Sequence, residues 1–222
     1  MCGMRKTLFV EGEYYHVFNR GVDKRQIFMD REDIERFYSS MIAFNSTELT
    51  GSIYEKYFAQ KLNPSEENRA GDKLVDIVCF CLNPNHFHFL LRQRVENGIS
   101  LYMQRLGIGY TNYFNNKHKR SGALFQGKFK SVHVEANQQL LHLSAYINLN
   151  NRAHNLAKFG NRIPKYLSSW DEYIKGAVGI CSTDIILGQF KSVEKYEDFA
   201  LSSLSEIQKR KEGLIESSLE TD

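Results

Sequence analysis

Two histidines stand two residues apart in Asn83-Pro84-Asn85-His86-Phe87-His88-Phe89-Leu90-Leu91, at the start of an apolar run. Successive side chains of a β-strand alternate faces, so this spacing puts both imidazoles on one face and Phe87, Phe89 and Leu91 on the other. Imidazole nitrogens bind divalent transition metals, and two of them on a rigid strand make a bidentate grip. The spacing alone fits equally well an exposed strand face that carries two unrelated histidines. Further ligands are available downstream. In the helical pattern from Gln138 to about Asn150, His142, Tyr146 and Asn150 recur at every fourth residue beside an apolar stripe of Leu140, Leu143 and Ile147. An amide oxygen from Asn150 could join the imidazoles while leaving coordination positions open for a phosphate oxygen. The Tyr146 hydroxyl, with an ordinary pKa near ~10, becomes a nucleophile once a cation or a relayed water favours its phenolate. Spacing alone also allows Tyr146 to be an amphipathic tyrosine at the core edge and Asn150 a helix C-cap.

These residues need elements to hold them. Residues 14 to 19 read as a strand, and residues 31 to 44 as a helix with Ile34, Phe37, Met41 and Ile42 at helical spacing. Leu74 to Leu82 and His86 to Gln93, joined by the turn signal Asn83-Pro84-Asn85, predict an antiparallel hairpin. Ser100 can cap a long amphipathic helix that ends near Asn115-Asn116 and is weakened by Gly107 and Gly109. Leu124 to Val134 is extended and interrupted at Gln126-Gly127, and Asn137 can cap the helix that carries Tyr146. Beyond it come Tyr166 to Tyr173 with Trp170, a short helix near Asp184 to Phe190, and a polar helix from about Glu194 to Glu212, after which the last ten residues are expected to fray. Residues 46 to 73, rich in Ser, Asn, Glu, Lys and Gly, read as an insertion or long loop. A soft boundary near residue 160 separates a main domain, 1–160, from a C-terminal helical extension, 161–222.

With 222 residues, 42% of them hydrophobic, the chain can bury one substantial core. No stretch approaches the roughly 20 apolar residues of a membrane span, and no apolar leader region follows the N-terminus, so the cytoplasm is the expected location. Four cysteines without a C-x-x-C pair suit reduced thiols. A net charge of +3 implies little by itself. Between Arg92 and Val134, however, Arg92, Arg94, Arg105, Lys117, Lys119, Arg120, Lys128 and Lys130 face only Glu96, an excess that suits a phosphate backbone. Tyr110, Tyr113, Phe114, Phe125 and Phe129 lie among them as stacking surfaces for unpaired bases, or as core aromatics beneath a solvated basic face.

The chain resembles the single-tyrosine HUH transposase family, and within it the REP-associated tyrosine transposases, over roughly residues 14 to 175. Four ordered segments carry the resemblance: Tyr15-His16-Val17-Phe18-Asn19-Arg20-Gly21, Pro84 to Leu91, Leu124-Phe125-Gln126-Gly127-Lys128-Phe129-Lys130-Ser131, and Tyr146-Ile147-Asn148-Leu149-Asn150. Ser168-Ser169-Trp170-Asp171-Glu172-Tyr173 resembles the family more loosely. The resemblance implies an α+β fold: an antiparallel β-sheet with flanking helices, related to the ferredoxin-like arrangement, with both histidines on a central strand. It implies cleavage and rejoining of single-stranded or hairpin DNA through a 5′-phosphotyrosine, in a bacterial, nucleoid-associated setting. By motif position Tyr146 is the nucleophile and His86, His88 and Asn150 hold Mg²⁺ or Mn²⁺; two nitrogen ligands favour Mn²⁺. Arg20, Arg105, Lys117, Lys119, Arg120, Gln126, Lys128 and Lys130 are the expected DNA contacts. Relatives act as monomers or homodimers. One departure stands out: relatives continue the tyrosine helix with Asn-Pro-Val-Arg-Ala, whereas Asn150 is followed here by Asn151-Arg152-Ala153-His154.

Three other readings remain open. Cys79, Cys81, His86 and His88 would form a structural zinc site if position 81 paired opposite 86. A non-cleaving binder of hairpin DNA or RNA would keep the basic window without the chemistry. An HUH nickase of replication or plasmid transfer would share the chemistry and differ in substrate.

Overall fold

The computed structural model describes residues 8–48, 72–153 and 167–203. In chain order β1 (Tyr14–Arg20), α1 (Arg31–Ala43), β2 (Val75–Asn83), β3 (His86–Gln93), α2 (Gly98–Lys117) and β4 (Lys130–His133) make a β-α-β-β-α-β unit. With the short β5 (Leu167–Ser168) the sheet runs β4-β1-β3-β2-β5, antiparallel at every step. This is the expected ferredoxin-like arrangement with one added edge strand. It puts β3 in the middle.

The alternation of β3 divides the protein into two cores. Phe87, Phe89 and Leu91 join Val17 of β1, Phe80 and Leu82 of β2, and the apolar stripes of α1 and α2. Helix α1 begins where Asp30 accepts a hydrogen bond from the Asp33 backbone N–H, and its Ile34, Phe37 and Met41 are buried. Tyr102 and Tyr110 on α2 are buried as well, and each donates its hydroxyl to a backbone carbonyl, of Met41 at 3.2 Å and of Ile27 at 2.6 Å. Gly107 and Gly109 do not interrupt α2, because tertiary packing outweighs a propensity cost of roughly 1 kcal/mol each.

The opposite face carries Leu90, Cys79 and Cys81 against α3 (Asn137–Asn148) and the segment that follows β5. That segment holds α5 (Trp170–Ile174), α6 (Asp184–Leu187) and α7, described over 193–203; α4 is the single turn Asn150–Ala153. Trp170, Tyr173, Ile186, Tyr196 and Ala200 are part of this second core. The residues expected to form an appended extension are thus built into the sheet's second layer over 167–203. The insertion expected at 46–73 and the boundary near 160 fall largely outside the described residues, as does the chain beyond 203. Among the described residues no helix is long and apolar enough to cross a membrane.

A one-residue bulge decides what β2 presents. Ile77 pairs with Leu91 but Cys79 pairs with Leu90, so Val78 is the extra residue. Ahead of the bulge Val75 and Ile77 face the first core; after it Phe80 and Leu82 do. The change of parity sends Cys81 and Asn83 to the face of the histidines. The Val78 carbonyl accepts a hydrogen bond from the buried Tyr173 hydroxyl at 2.9 Å. Nearby, Ser169 Oγ receives the Phe80 N–H at 2.9 Å and donates to Asn148 Oδ1 at 2.6 Å, while Asn148 Nδ2 donates to the Tyr196 hydroxyl at 2.9 Å. This buried relay ties the end of α3 to the sheet edge and to α7.

A charged cluster locks α1 to the end of α2. Lys117 Nζ lies 2.7 Å from Asp30, 3.0 Å from Glu32 and 3.0 Å from Asp33, and His118 Nε2 lies 3.0 Å from Asp33. Desolvation pushes the Asp30 carboxyl up, but the hydrogen bonds from Lys117 and the Asp33 N–H, together with the Lys117 charge, outweigh it and hold Asp30 below the usual carboxylate range. Asp33 also accepts the Met29 N–H at 2.8 Å and has a fully buried side chain. Asp33→Ala should therefore lower unfolding stability by about 3 kcal/mol in urea titration, the cost of stranding buried partners. A loss within a few tenths of a kcal/mol would show that the cluster is peripheral.

Candidate active site

His86 and His88 lie on the same face of β3, their ring centroids 5.1 Å apart and their planes nearly perpendicular. Antiparallel pairing adds neighbours from both sides: Arg20, Phe18 and His16 of β1 stand opposite His86, His88 and Leu90, and Asn83 and Cys81 of β2 stand opposite His86 and His88. From the second layer, Tyr146 presents its ring edge-on to His88 at 5.7 Å and to His16 at 6.3 Å. Asn150 is fully buried against this group. The structure thus brings together all four residues expected to do the chemistry.

The hydrogen bonds around His86 define its tautomer. Asn83 Nδ2 lies 3.1 Å from His86 Nε2 and can only donate, so Nε2 offers its lone pair. Nδ1 carries the proton and donates to Asn85 Oδ1 at 2.6 Å. The same Asn83 Nδ2 donates to Asn150 Oδ1 at 2.8 Å. A ring nitrogen from β3 and an amide oxygen from the following layer therefore converge on one hydrogen-bond donor. Asn150 Nδ2, at the other end of that amide, is buried. Lone pairs gathered in this way, with an imidazole from His88 beside them, fit a divalent cation such as Mn²⁺.

Helix α3 does not run through to Asn150. It ends at Asn148, Leu149 leaves helical geometry, and α4 restarts at Asn150. The extra turn of backbone lets Asn150 reach Asn83 while Tyr146 stays over the histidines. His142, expected on the same stripe, lies elsewhere, with its ring 4.9 Å from Phe199 and Nδ1 3.4 Å from Ser203 Oγ on α7. Burial raises the Tyr146 pKa, and the nearby Asn150 amide offsets part of the rise. At neutral pH Tyr146 is a phenol.

His16 is a member of the cluster that the spacing of residues did not single out. Its Nε2 lies 2.9 Å from His88 Nδ1, and the two rings stack at 5.1 Å. A lone histidine on a strand has no periodic signal; only the pairing of β1 with β3 places it here. Asn83 was likewise read only as part of a turn, although it ends β2 inside the site.

The four-ligand zinc arrangement does not form. Cys81 pairs with His88 rather than with His86, because the hairpin turn is only Pro84-Asn85. Cys79 and Cys81 are fully buried, and burial pushes the Cys81 thiol up to about 12. Among the described residues the one cluster of three or more His, Cys, Asp or Glu ligand atoms close enough to share a metal is Asp30, Asp33 and His118. Lys117 already sits against both of those carboxylates and supplies the positive charge there.

The basic residues disperse in space. Arg20 pairs opposite His86, Gln126 N–H donates to the Arg20 carbonyl at 2.8 Å, and Lys130 pairs with Phe18, so these three border the site. Lys128 lies on the same connection, on the rim of an open groove of about 970 Å³ that runs along α2 on the far side of the sheet. Lys119 is exposed in the turn after α2. Arg105 donates to the Ser46 carbonyl at 2.6 Å, Arg120 to Asn115 Oδ1 at 2.8 Å, and Lys117 belongs to the carboxylate cluster. Those three are engaged in holding the α1–α2 layer, on the face away from the histidines.

Residues 47–150 match the family described as "Transposase IS200 like". Over this span the chain is similar to IS200-like transposases. The span takes in His86, His88, Tyr146 and Asn150, and it is narrower than the range of 14 to 175 over which the motifs resemble the family. The likeness in fold extends further. A solved structure described as "Structure of the REP associates tyrosine transposase bound to a REP hairpin" superposes with a TM-score of 0.50 at 12% identity, covering 81% of this chain and 90% of that one. No curated protein matches the chain.

The histidine cluster carries a pH signature through His16. Desolvation lowers its pKa from 6.5 to about 4, so the unfolded chain takes up a proton that the folded one refuses. Stability from this source is complete above pH 6.5 and falls as the pH drops towards 4. His16→Gln should show a shallower loss of urea stability across that window than the natural protein. Identical slopes would contradict the assignment.

Proposed function

We propose that the protein is a metal-dependent transposase that cleaves and rejoins single-stranded DNA, at palindromic or hairpin sequences, through a covalent bond to Tyr146. The observation that carries this reading is the convergence of Tyr146 and Asn150 on the His86–His88 face of β3. A divalent cation held by His86, His88 and Asn150 would neutralise charge on the scissile phosphate and favour the Tyr146 phenolate. Tyr146 Oη attacks phosphorus, its proton leaves to water, the P–O3′ bond breaks, and O3′ takes up a proton from water. The downstream strand stays on Tyr146 as a 5′-phosphotyrosine and the upstream strand leaves with a free 3′-hydroxyl. Rejoining reverses these steps with a 3′-hydroxyl as the attacking group.

The residues around Tyr146 prepare it for this role. Edge-on contact with His16 and His88 fixes the ring, and the hold on Asn148 by Ser169 and Tyr196 fixes the helix that carries it. Burial keeps the hydroxyl protonated until positive charge arrives, which restricts attack to the assembled complex. Tyr146 sits beside the histidines of its own chain, so one copy holds the full set and a monomer suffices. Arg20, Gln126 and Lys130 line the approach and would hold the DNA backbone near the site. The hairpin in the neighbour's description supports hairpin DNA as the class of substrate. Residues 167–203 belong to the same working unit, because α7 helps to hold α3.

A 3′-end-labelled oligonucleotide with a hairpin, incubated with the protein and Mn²⁺, tests the proposal. Label should travel with the protein on a denaturing gel. Tyr146→Phe should reduce it by at least about 10³-fold, and His86→Ala by about 10²-fold or more. An undiminished adduct in Tyr146→Phe overturns the mechanism, and hairpin binding without any adduct points to a non-cleaving DNA-binding protein.

A further inference from the structure

We propose that Asn83 is an additional metal ligand, whose side-chain amide turns over on cation binding and presents Oδ1 to the point that His86 and Asn150 share. The inference deepens the reading of the site given above and rests on it.

Asn83 is a buried amide surrounded by the site's own polar groups. It is the last residue of β2, 1% exposed, and directly opposite His86. Its Nδ2 lies 3.1 Å from His86 Nε2 and 2.8 Å from Asn150 Oδ1. Without a cation two lone pairs so close need a positive group between them, and the amide N–H bonds provide it. Neighbouring ligands of an octahedral cation bonded at ~2.1 Å lie about 3.0 Å apart. The two observed separations match that spacing. Once a cation supplies the positive charge, an oxygen in place of Nδ2 turns from repulsive to coordinating.

The far end of the amide tolerates the turn. Asn83 Oδ1 meets Cys81 Sγ at 3.8 Å, and a thiol is both a weak donor and a weak acceptor, so little is lost when Nδ2 takes the place of Oδ1. The partners are fixed beforehand. The Asn85 side chain holds His86, and the hairpin turn is pinned by the Gly21 N–H on the Asn85 carbonyl at 2.8 Å and the Ile27 N–H on the Pro84 carbonyl at 2.7 Å. Asn150 keeps Oδ1 turned inward toward Asn83. Two imidazoles and two amides are all uncharged, so the bound ion would keep its full charge for a phosphate.

Mn²⁺ titration of the DNA-free protein, followed by electron paramagnetic resonance, tests the assignment. Asn83→Leu, close to isosteric and suited to a buried position, should weaken Mn²⁺ binding about 10-fold or more. Asn83→Asp should tighten it by a similar factor, because a carboxylate is the stronger oxygen ligand. Asn83→Leu binding as tightly as the natural protein, or tighter, overturns the proposal and leaves the amide a mere hydrogen-bond donor. Weaker or unchanged binding by Asn83→Asp also overturns it, and this variant carries the test if Asn83→Leu does not fold by circular dichroism. His86→Ala and His88→Ala separate the two levels: if both leave Mn²⁺ binding intact, the metal site itself is misassigned, whereas loss in both with no effect at Asn83 removes only the additional ligand.

Discussion

The alternation of side chains along β3 is the constraint on which the rest depends. A central strand in this sheet has no solvent face: Phe87, Phe89 and Leu91 complete a core with α1 and α2, while His86, His88 and Leu90 face the second layer. The aromatic side is the anchor. Fully burying each such side chain is worth about 1.5–3 kcal/mol, and a slip of one residue would move all of them at once out of their core into the polar second layer and bury the imidazoles among phenyl rings. Holding those rings in the first core is therefore what holds the histidines in the site.

Polar groups then complete the second layer at specific places. The bulge at Val78 changes the parity of β2 and delivers Asn83 to His86. Ser169, Asn148 and Tyr196 fasten the end of α3, and the break at Leu149 lets Asn150 swing inward. Each of these buried groups is satisfied mainly by the others. A network of this kind gives the site one arrangement, because any alternative strands a donor or acceptor in the interior. It also explains how the helix that carries Tyr146 ends cleanly: the restart at Asn150 is held from the sides.

Much of this was legible in the chain, and the limits have physical causes. Period-two alternation marks β3 without ambiguity, and the hairpin follows from Asn83-Pro84-Asn85. Its register does not follow, because the pairing of Asn83 with His86 depends on a two-residue turn and the parity of β2 on a bulge that has no signature in residue type. His16 could not be assigned from its own strand, since its role arises from a pairing across 72 positions. The basic window misleads for the opposite reason. Closeness in sequence along α2 puts Arg105 and Lys117 on the far layer, where carbonyls and carboxylates hold them, while Arg20, distant in sequence, stands over His86. Asn150 was visible as a residue type at helical spacing, although the helix itself stops two residues earlier.

The account turns on where a cation sits. Anomalous diffraction from a crystal soaked in Mn²⁺ gives the most direct measurement. The predicted result is a single strong peak bounded by His86, His88 and Asn150, beneath the Tyr146 ring. A peak instead among Asp30, Asp33 and His118, with none at the β3 histidines, would contradict it.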